Sequence, residues 1–199
     1  MASMRNIGLR GTMVICDIDR TLADCNHREK YLEKNIIDKK KCTNCQYVKG
    51  KRTMCCTFKG DCLNAKISQE SWDEFFLPER VAKDPVLPYA CDVLKVLDRK
   101  HILYYYSGRF EKLRETTEQW LIKNGFPFSS RILLRADDDL RSGLITKKEI
   151  LNTFLDEKRV IVIDDDERFK TWCLAHKMYF FLAKNDFWKE TYTTMELFK

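Results

Sequence analysis

The chain has 199 residues and a mass of 23.7 kDa, which suits a single globular domain with a buried core. A hydrophobic content of 44% and an aromatic content of 12% exclude a disordered chain, and the net charge of +6 is concentrated in one segment. No apolar run reaches the roughly 20 residues that a membrane-spanning helix needs. The N-terminal residues MASMRNIGLRG contain no apolar stretch typical of a signal peptide, so we expect a cytoplasmic protein with no membrane partner.

Five short apolar runs predict strands, and they are nearly continuous, as in strands buried on both faces of a sheet. Helical patterns lie between them, and one of these ends at Gly125. Strands that alternate with helices predict right-handed βαβ units and an α/β fold with a Rossmann-like, doubly wound parallel sheet. The predicted strands are residues 12–16, 101–106, 131–135, 159–163 and 177–183, and the helical patterns are residues 93–97, 113–121 and 150–155.

Residues 25–71 follow the first predicted strand and show no strong periodicity. Within this segment, residues 27–66 carry eleven Lys or Arg against four Asp or Glu, a surplus of +7. We predict that residues 25–71 form a small basic cap inserted into a single domain of residues 1–199. Concentrated positive charge suits a polyanionic partner, and a solvated basic loop is the alternative.

Five of the nine cysteines are clustered at positions 42–62 of this segment. A Cys-x2-Cys pair followed about ten residues later by further cysteines can close a tetrahedral Zn²⁺ site. The segment has little apolar material of its own, so a metal would supply stabilisation that packing does not. Free thiols or a disulfide remain alternatives. The candidate ligands are Cys42, Cys45 and Cys62 with either Cys55 or Cys56.

Chemically functional side chains follow three of the predicted strands. Asp17 and Asp19 follow the first strand, residues 107–109 (Ser-Gly-Arg) the second, and residues 164–166 (three aspartates) the fourth. Ligands of open α/β sheets bind outside the carboxyl ends of the strands, so we expect these side chains to meet there. Lys147 lies in the helix before the fourth strand, next to Lys148.

These residue types match the needs of phosphoryl transfer through an aspartyl-phosphate. Such a site uses a carboxylate nucleophile, a second carboxylate that moves the leaving-group proton, a divalent metal, and a hydroxyl and a cation for the phosphoryl oxygens. One intervening residue places Asp17 and Asp19 on the same side of an extended segment. The charges of Asp17, Asp164 and Asp165 would repel one another without a hard cation, and Mg²⁺ suits such a site.

With these motifs in this order, the sequence resembles the haloacid dehalogenase superfamily of phosphohydrolases. The resemblance implies that Asp17 is the nucleophile and Asp19 the general acid and base. It also implies that Ser107 and Lys147 are catalytic, and that Thr21 and Gly108 contact substrate. The implied Mg²⁺ ligands are Asp17, the backbone carbonyl of Asp19, Asp164 and Asp165.

The chain resembles more closely the phosphatase domains of phage polynucleotide kinase-phosphatases and their stand-alone relatives. The matching stretches include the SWDEFF sequence at 71–76, YYYSGR at 104–109 and TKKEI at 146–150. That resemblance implies removal of 3′-phosphates from nucleic-acid ends, with Arg28 and Arg109 gripping the phosphate or its neighbour. The sequence departs from the family at Arg20, where glycine is usual.

Two other functions remain open at this stage. The catalytic residues are shared with phosphatases of free nucleotides or other small phosphorylated metabolites, because specificity resides in the cap. The chain could also be a nucleic-acid or protein-binding module on a phosphatase fold that has lost its activity. The leading expectation is a phosphomonoesterase whose partner is a nucleic acid with a phosphorylated end.

Overall fold

The computed structural model of the chain describes residues 12–32, 34–36, 65–67, 69–127, 131–139 and 141–197. The five clustered cysteines lie outside these ranges, so the zinc site stays a prediction. Two compact units are present, one formed by Met1–Cys25 with Val81–Lys199 and the other by Asn26–Arg80.

The described residues form strands and helices in alternation over most of the larger unit. The strands are β1 (Met13–Asp17), β2 (Lys34–Ile36), β3 (Ala65–Ile67), β4 (Ile102–Phe110), β5 (Ile132–Arg135), β6 (Val160–Asp164) and β7 (Tyr179–Leu182). The helices are α1 (Asn26–Glu29), α2 (Gln69–Phe75), α3 (Pro78–Val81), α4 (Ala90–Asp98), α5 (Arg114–Lys123), α6 (Gly143–Asn152), α7 (Lys170–Ala175) and α8 (Phe187–Glu196).

The larger unit contains a five-stranded sheet in the order β5-β4-β1-β6-β7, and every pair in it is parallel. The predicted Rossmann-like parallel sheet is therefore confirmed. The chain moves outward from β1 to β4 and β5 and then crosses back to β6 on the other side of β1. The strand order thus reverses at β1, and in such sheets the crevice at this point is where ligands bind. In the smaller unit, β2 and β3 form an antiparallel pair.

Burial explains why β1 occupies the centre of the sheet. All five of its residues are buried, as its continuous apolar sequence predicts. On one face, Ile15 and Val162 pack into a core with Leu151 and Phe154, which belong to the helical pattern predicted at 150–155. The edge strand β7 instead leaves the side chains of Tyr179 and Phe181 exposed. None of the helices in the described ranges combines the length and apolar character needed to cross a membrane.

Strand β4 differs from its prediction because it does not stop before Ser107. It continues to Phe110, although its pairing with β1 ends at Tyr106. Its register with β5 shifts between Tyr106 and Phe110. The residues between them, Ser-Gly-Arg, carry no large apolar side chain, so the apolar pattern ends before the extended backbone does. The strand therefore carries Ser107 and Arg109 beyond the last pair with β1.

Helix α5 ends as its sequence predicts, at a glycine. Gly125 has a φ of 72°, its N–H donates to the carbonyl of Ile122, and the N–H of Phe126 donates to that of Leu121. A left-handed residue at this position closes the helix, and glycine adopts it without strain. A Cβ at this position would lie 3.6 Å from Lys95 Nζ, an ordinary contact distance, so the backbone and not a clash restricts the residue.

We expect Gly125→Ala to lower the free energy of unfolding by about 1 kcal/mol, because alanine resists the left-handed backbone. Gly143→Ala is the matched control, since Gly143 lies in α6 with open space around it and no left-handed φ. Urea denaturation of both variants measures the difference. An equal effect of the two substitutions would contradict the backbone explanation.

Candidate active site

Asp17 is the last residue of β1, and a tight loop follows it. The N–H groups of Leu22 and Ala23 both donate to the carbonyl of Ile18, at 2.8 and 3.0 Å. Arg20 turns the loop with a φ of 63°, a left-handed backbone that disfavours residues with a Cβ. This geometry is a physical reason why glycine would suit this position better than arginine.

Three carboxylates converge at the carboxyl edge of the central strands. Asp17, Asp164 and Asp165 each place an oxygen so that all three oxygens lie within 4.8 Å of one another. Asp17 and Asp164 end the neighbouring strands β1 and β6, whose parallel pairing brings their side chains to one edge. Asp17 and Asp164, which the sequence places at the ends of two strands, thus lie together, and their role as metal ligands stays a prediction.

Lys147 supplies a positive charge directly to this cluster. Its Nζ lies 2.7 Å from Asp17 Oδ1 and 2.9 Å from Asp164 Oδ2, and the side chain is 12% exposed. Burial acts to lower the pKa of the Lys147 ammonium, but attraction to Asp164 and Asp17 outweighs it and raises that pKa. Lys147 therefore stays charged and links the two strand ends.

One ammonium does not balance three carboxylates. Burial raises the pKa of Asp17 well above its usual range, although Lys147 opposes the shift. Burial and the charge of Asp164 raise the pKa of Asp165 to about 6. The cluster consists of closely spaced carboxylate oxygens with surplus negative charge, and this is the donor set that Mg²⁺ prefers. The three carboxylates therefore fit Mg²⁺, the metal that the sequence implies.

Two further side chains hold the cluster in place. Thr21 Oγ1 donates to Asp17 Oδ2 at 3.1 Å and accepts the N–H of Asp165 at the same distance. The hydroxyl of Tyr106 donates to Asp164 Oδ2. Thr21 was expected to contact substrate, and in this structure it joins the loop after β1 to the end of β6. The backbone carbonyl of Thr21 also accepts a hydrogen bond from Trp188 Nε1 of α8 at 2.6 Å.

Asp19 lies in a different environment from Asp17. Ser107 Oγ donates to Asp19 Oδ2 at 3.0 Å, and Arg109 contacts both oxygens of Asp19 through Nε at 3.2 and 3.0 Å. Arg109 Nη2 lies 2.8 Å from Asp19 Oδ1 and 3.2 Å from Asp84 Oδ2. The carboxylate of Asp19 therefore belongs to an arginine-centred network and not to the three-carboxylate cluster.

Arg28 and Arg109, the two predicted phosphate-gripping arginines, are both fully buried. Arg109 is held by Asp19, Asp84 and, through Nη1, by Thr117 Oγ1 at 3.2 Å. Arg28 belongs to the smaller unit, where its Nη1 donates to the carbonyl of Phe75 and its guanidinium lies 4.1 Å from the centre of the Phe75 ring. Both arginines thus have protein partners in this structure, and their contact with substrate stays a prediction. Gly108 lies between Ser107 and Arg109, with open space beside its Cα.

Two residues of this region could not be found from the sequence. Asp84 lies in a loop 65 positions after Asp19 and has only the following proline as a local signal. Tyr106 is one of three consecutive tyrosines in β4, and only the direction of its side chain distinguishes it. In both cases the role comes from a distant partner, Arg109 for Asp84 and Asp164 for Tyr106.

Comparison with known proteins identifies the fold. No protein-family model and no curated protein sequence matches the chain. A haloacid dehalogenase-like hydrolase from Streptococcus pneumoniae has a similar solved structure, with a TM-score of 0.56 and 13% identity over 95% of this chain and 99% of that one. The expected haloacid dehalogenase-type fold is thereby confirmed.

Two solved structures of a Pnkp1/Rnl/Hen1 complex, one of them described as an RNA repair complex, are also similar. Their TM-scores are 0.53 and 0.54, each at 20% identity over 92% of this chain. The chain spans 51% and 45% of the two matched chains, which is about half their length. The chain is similar in fold to these proteins, as it is to the hydrolase.

We expect Lys147→Met to destabilise the metal-free protein by roughly 3 kcal/mol or more, because it leaves buried carboxylates without their cation. Magnesium should restore much of this loss, so the thermal shift on adding Mg²⁺ should be larger in Lys147→Met than in the wild type. Thermal unfolding with EDTA and with Mg²⁺ measures both effects. Lys148→Met, the neighbouring substitution on α6, is the control. Equal losses in the two variants would contradict the ion-pair assignment.

We also expect a specific pH dependence in the metal-free protein. Because the pKa of Asp165 is raised to about 6 in the folded state, ionising it opposes folding. Its contribution to stability is fully present below about pH 4, the unfolded pKa, and is lost as the pH rises through about 6. Asp165→Asn should remove this part of the pH dependence in denaturation measured from pH 4 to 7 in EDTA. A slope that Asp165→Asn leaves unchanged would contradict the expectation.

Proposed function

We propose that the chain is a Mg²⁺-dependent phosphomonoesterase that removes terminal phosphates, specifically 3′-phosphates, from nucleic-acid ends through an aspartyl-phosphate on Asp17. The observation that carries the catalytic proposal is the convergence of Asp17, Asp164 and Asp165 with Lys147 at the point where the strand order reverses. A nucleophilic carboxylate, a cation and metal ligands then lie within reach of one phosphoryl group.

In the first step, a carboxylate oxygen of Asp17 attacks phosphorus while the bond from phosphorus to the leaving oxygen breaks. Asp19 donates its proton to that leaving oxygen. In the second step, Asp19 takes a proton from water, the water oxygen attacks phosphorus, and the bond from phosphorus to Asp17 breaks. Inorganic phosphate is then released and both carboxyl groups return to their initial state.

The remaining groups support these two steps by fixing geometry and charge. Lys147 orients Asp17 and partly neutralises the phosphoryl oxygens as they approach. Thr21 donates to Oδ2 of Asp17 and Lys147 contacts Oδ1, so the orientation of the carboxylate is fixed from both sides. A magnesium ion bound by Asp17, Asp164 and Asp165 would supply Lewis-acid stabilisation of the phosphoryl group.

Three observations support nucleic-acid ends as the substrate. The motifs at residues 71–76, 104–109 and 146–150 resemble those of polynucleotide 3′-phosphatases. Proteins of similar fold occur in a complex described as acting in RNA repair. The surplus charge of +7 in residues 27–66 suits a polyanion, and binding through it would weaken steeply with salt.

Asp17→Asn should lower the hydrolysis of p-nitrophenyl phosphate at least about a thousandfold, because the amide cannot form the phosphoryl intermediate. Wild-type hydrolysis should require Mg²⁺ and stop with EDTA. Asp98→Asn, an exposed position on α4, is the control and should retain full activity. Steady hydrolysis by Asp17→Asn would refute the mechanism.

The substrate proposal is tested separately on the wild-type protein. A 3′-phosphorylated oligonucleotide, its 5′-phosphorylated counterpart and the corresponding mononucleotides are compared by kcat/KM at two salt concentrations. We expect preference for the 3′-phosphorylated oligonucleotide, and a salt dependence that the mononucleotides lack. Preference for mononucleotides would favour a small-metabolite phosphatase with the same catalytic residues.

A further inference from the structure

We infer that Asp84 and Arg109 form a buried pair that positions Asp19 for proton transfer. The inference rests on the proposed phosphatase function and assigns to Asp84 a role that its sequence context does not indicate. Neither side chain is exposed, so both are positioning residues that act through Asp19.

The guanidinium of Arg109 fixes the Asp19 carboxylate in its plane. Nε and Nη2 form one edge of the guanidinium, and both contact Asp19. A planar two-point contact of this kind restricts the rotation of the carboxylate as well as its distance. The Asp19 side chain is 19% exposed, so it is held by this contact and still reaches solvent. This is the placement that a proton-transfer group needs.

Asp84 in turn fixes Arg109. Its Oδ2 lies 3.2 Å from Arg109 Nη2, and Thr117 Oγ1 lies 3.2 Å from Nη1. A fully buried guanidinium needs a counter-charge, and removing one partner of such a pair is strongly unfavourable. Without the charge of Asp84, Asp19 would be the one carboxylate left among these contacts of Arg109. Arg109 would then pull the Asp19 side chain towards the protein interior. Asp84 therefore fixes the position of the guanidinium edge of Arg109 that binds Asp19.

The backbone around Asp84 is tied to the loop that carries Asp19. Asp24 N donates to Pro85 O and Leu87 N donates to Leu22 O, each at 2.8 Å. The indole of Trp120 donates to the carbonyl of Asp84 at 2.8 Å. These bonds fix the two segments against each other, so the separation of Asp84 and Asp19 is set by the fold. The arginine fits between two acids that are already in place.

A second metal site is the competing explanation for this cluster. Ligand atoms of Asp19, Cys25 and Asp84 lie within 4.8 Å of one another. However, Arg109 Nη2 lies within 3.2 Å of oxygens from both aspartates, so a guanidinium already supplies the positive charge between them. Cys25 Sγ donates to Asp19 Oδ1 at 3.5 Å, which makes it another constraint on the same carboxylate.

The test uses Asp84→Asn, which keeps the shape of the side chain and removes its charge. Protonation of the leaving oxygen matters for an alkyl ester and little for p-nitrophenyl phosphate, whose leaving group is stable as an anion. We expect kcat/KM for a 3′-phosphorylated oligonucleotide, or for β-glycerophosphate, to fall at least about tenfold more than kcat/KM for p-nitrophenyl phosphate.

A second readout follows the intermediate. Hydrolysis of the aspartyl-phosphate needs Asp19 as a base for either substrate, so this step should become limiting in Asp84→Asn. Rapid mixing with p-nitrophenyl phosphate should then give a burst of about one equivalent of p-nitrophenolate per enzyme. Asp19→Asn is the reference for both measurements, the difference between ester classes and the burst. Asp98→Asn is the control for loss of one negative charge. An equal fall on both ester classes without a burst would overturn the inference.

The double variant Asp19→Asn/Asp84→Asn separates positioning from general structural damage. If Asp84 acts through Asp19, its removal should change activity little in the Asp19→Asn background, whereas independent damage would be additive. If Asp84→Asn does not fold, the inference is tested with Arg109→Lys and the same two measurements, because lysine keeps the charge and loses the planar contact. Failure of the proposed phosphatase function would show in the wild-type protein, whereas failure of this inference shows only in the variants.

Discussion

The two contacts of Lys147, with Asp17 and with Asp164, make it possible for the central strands to end in acids inside the protein. Burial acts against the charged form of Asp17, and Asp164 is fully buried beside it. An ammonium within 3 Å of both offsets part of their repulsion and leaves a deficit of positive charge. That deficit fits a divalent cation at this edge of the sheet, as the proposed function requires.

Asp17 and Asp19 are two residues apart, yet their carboxylates lie in different electrostatic environments. Asp17 contacts a lysine and lies with other acids, whereas Asp19 is held by the edge of an arginine. The proposed mechanism needs this difference, because a nucleophile must be deprotonated and a proton carrier must alternate between two states. The tight loop that begins at Ile18 and turns at Arg20 separates these environments over a short length of chain.

The sequence predicted the parallel sheet and the acidic strand ends because both follow from local pattern. Continuous apolar runs identify strands buried on two faces, and the residues that follow them in such a fold share one edge. The extension of β4 to Phe110 was missed, because Ser-Gly-Arg at 107–109 interrupts the apolar run and the pairing with β1 has already ended. Asp84 was missed because its role depends on an arginine 25 residues away. Helix α8 was missed although Trp188, Tyr192 and Met195 lie at helical spacing, and Trp188 is buried.

Trp188 has a consequence for the order in which the molecule can assemble. Its indole holds the carbonyl of Thr21 from 167 positions further along the chain, and the central strand β1 pairs with β6, which begins at Val160. The strand that ends in Asp17 and the loop after it thus depend on contacts made far along the chain. Contacts of such long sequence separation slow folding. A nascent chain must therefore extend 167 residues past Thr21 before this contact can form.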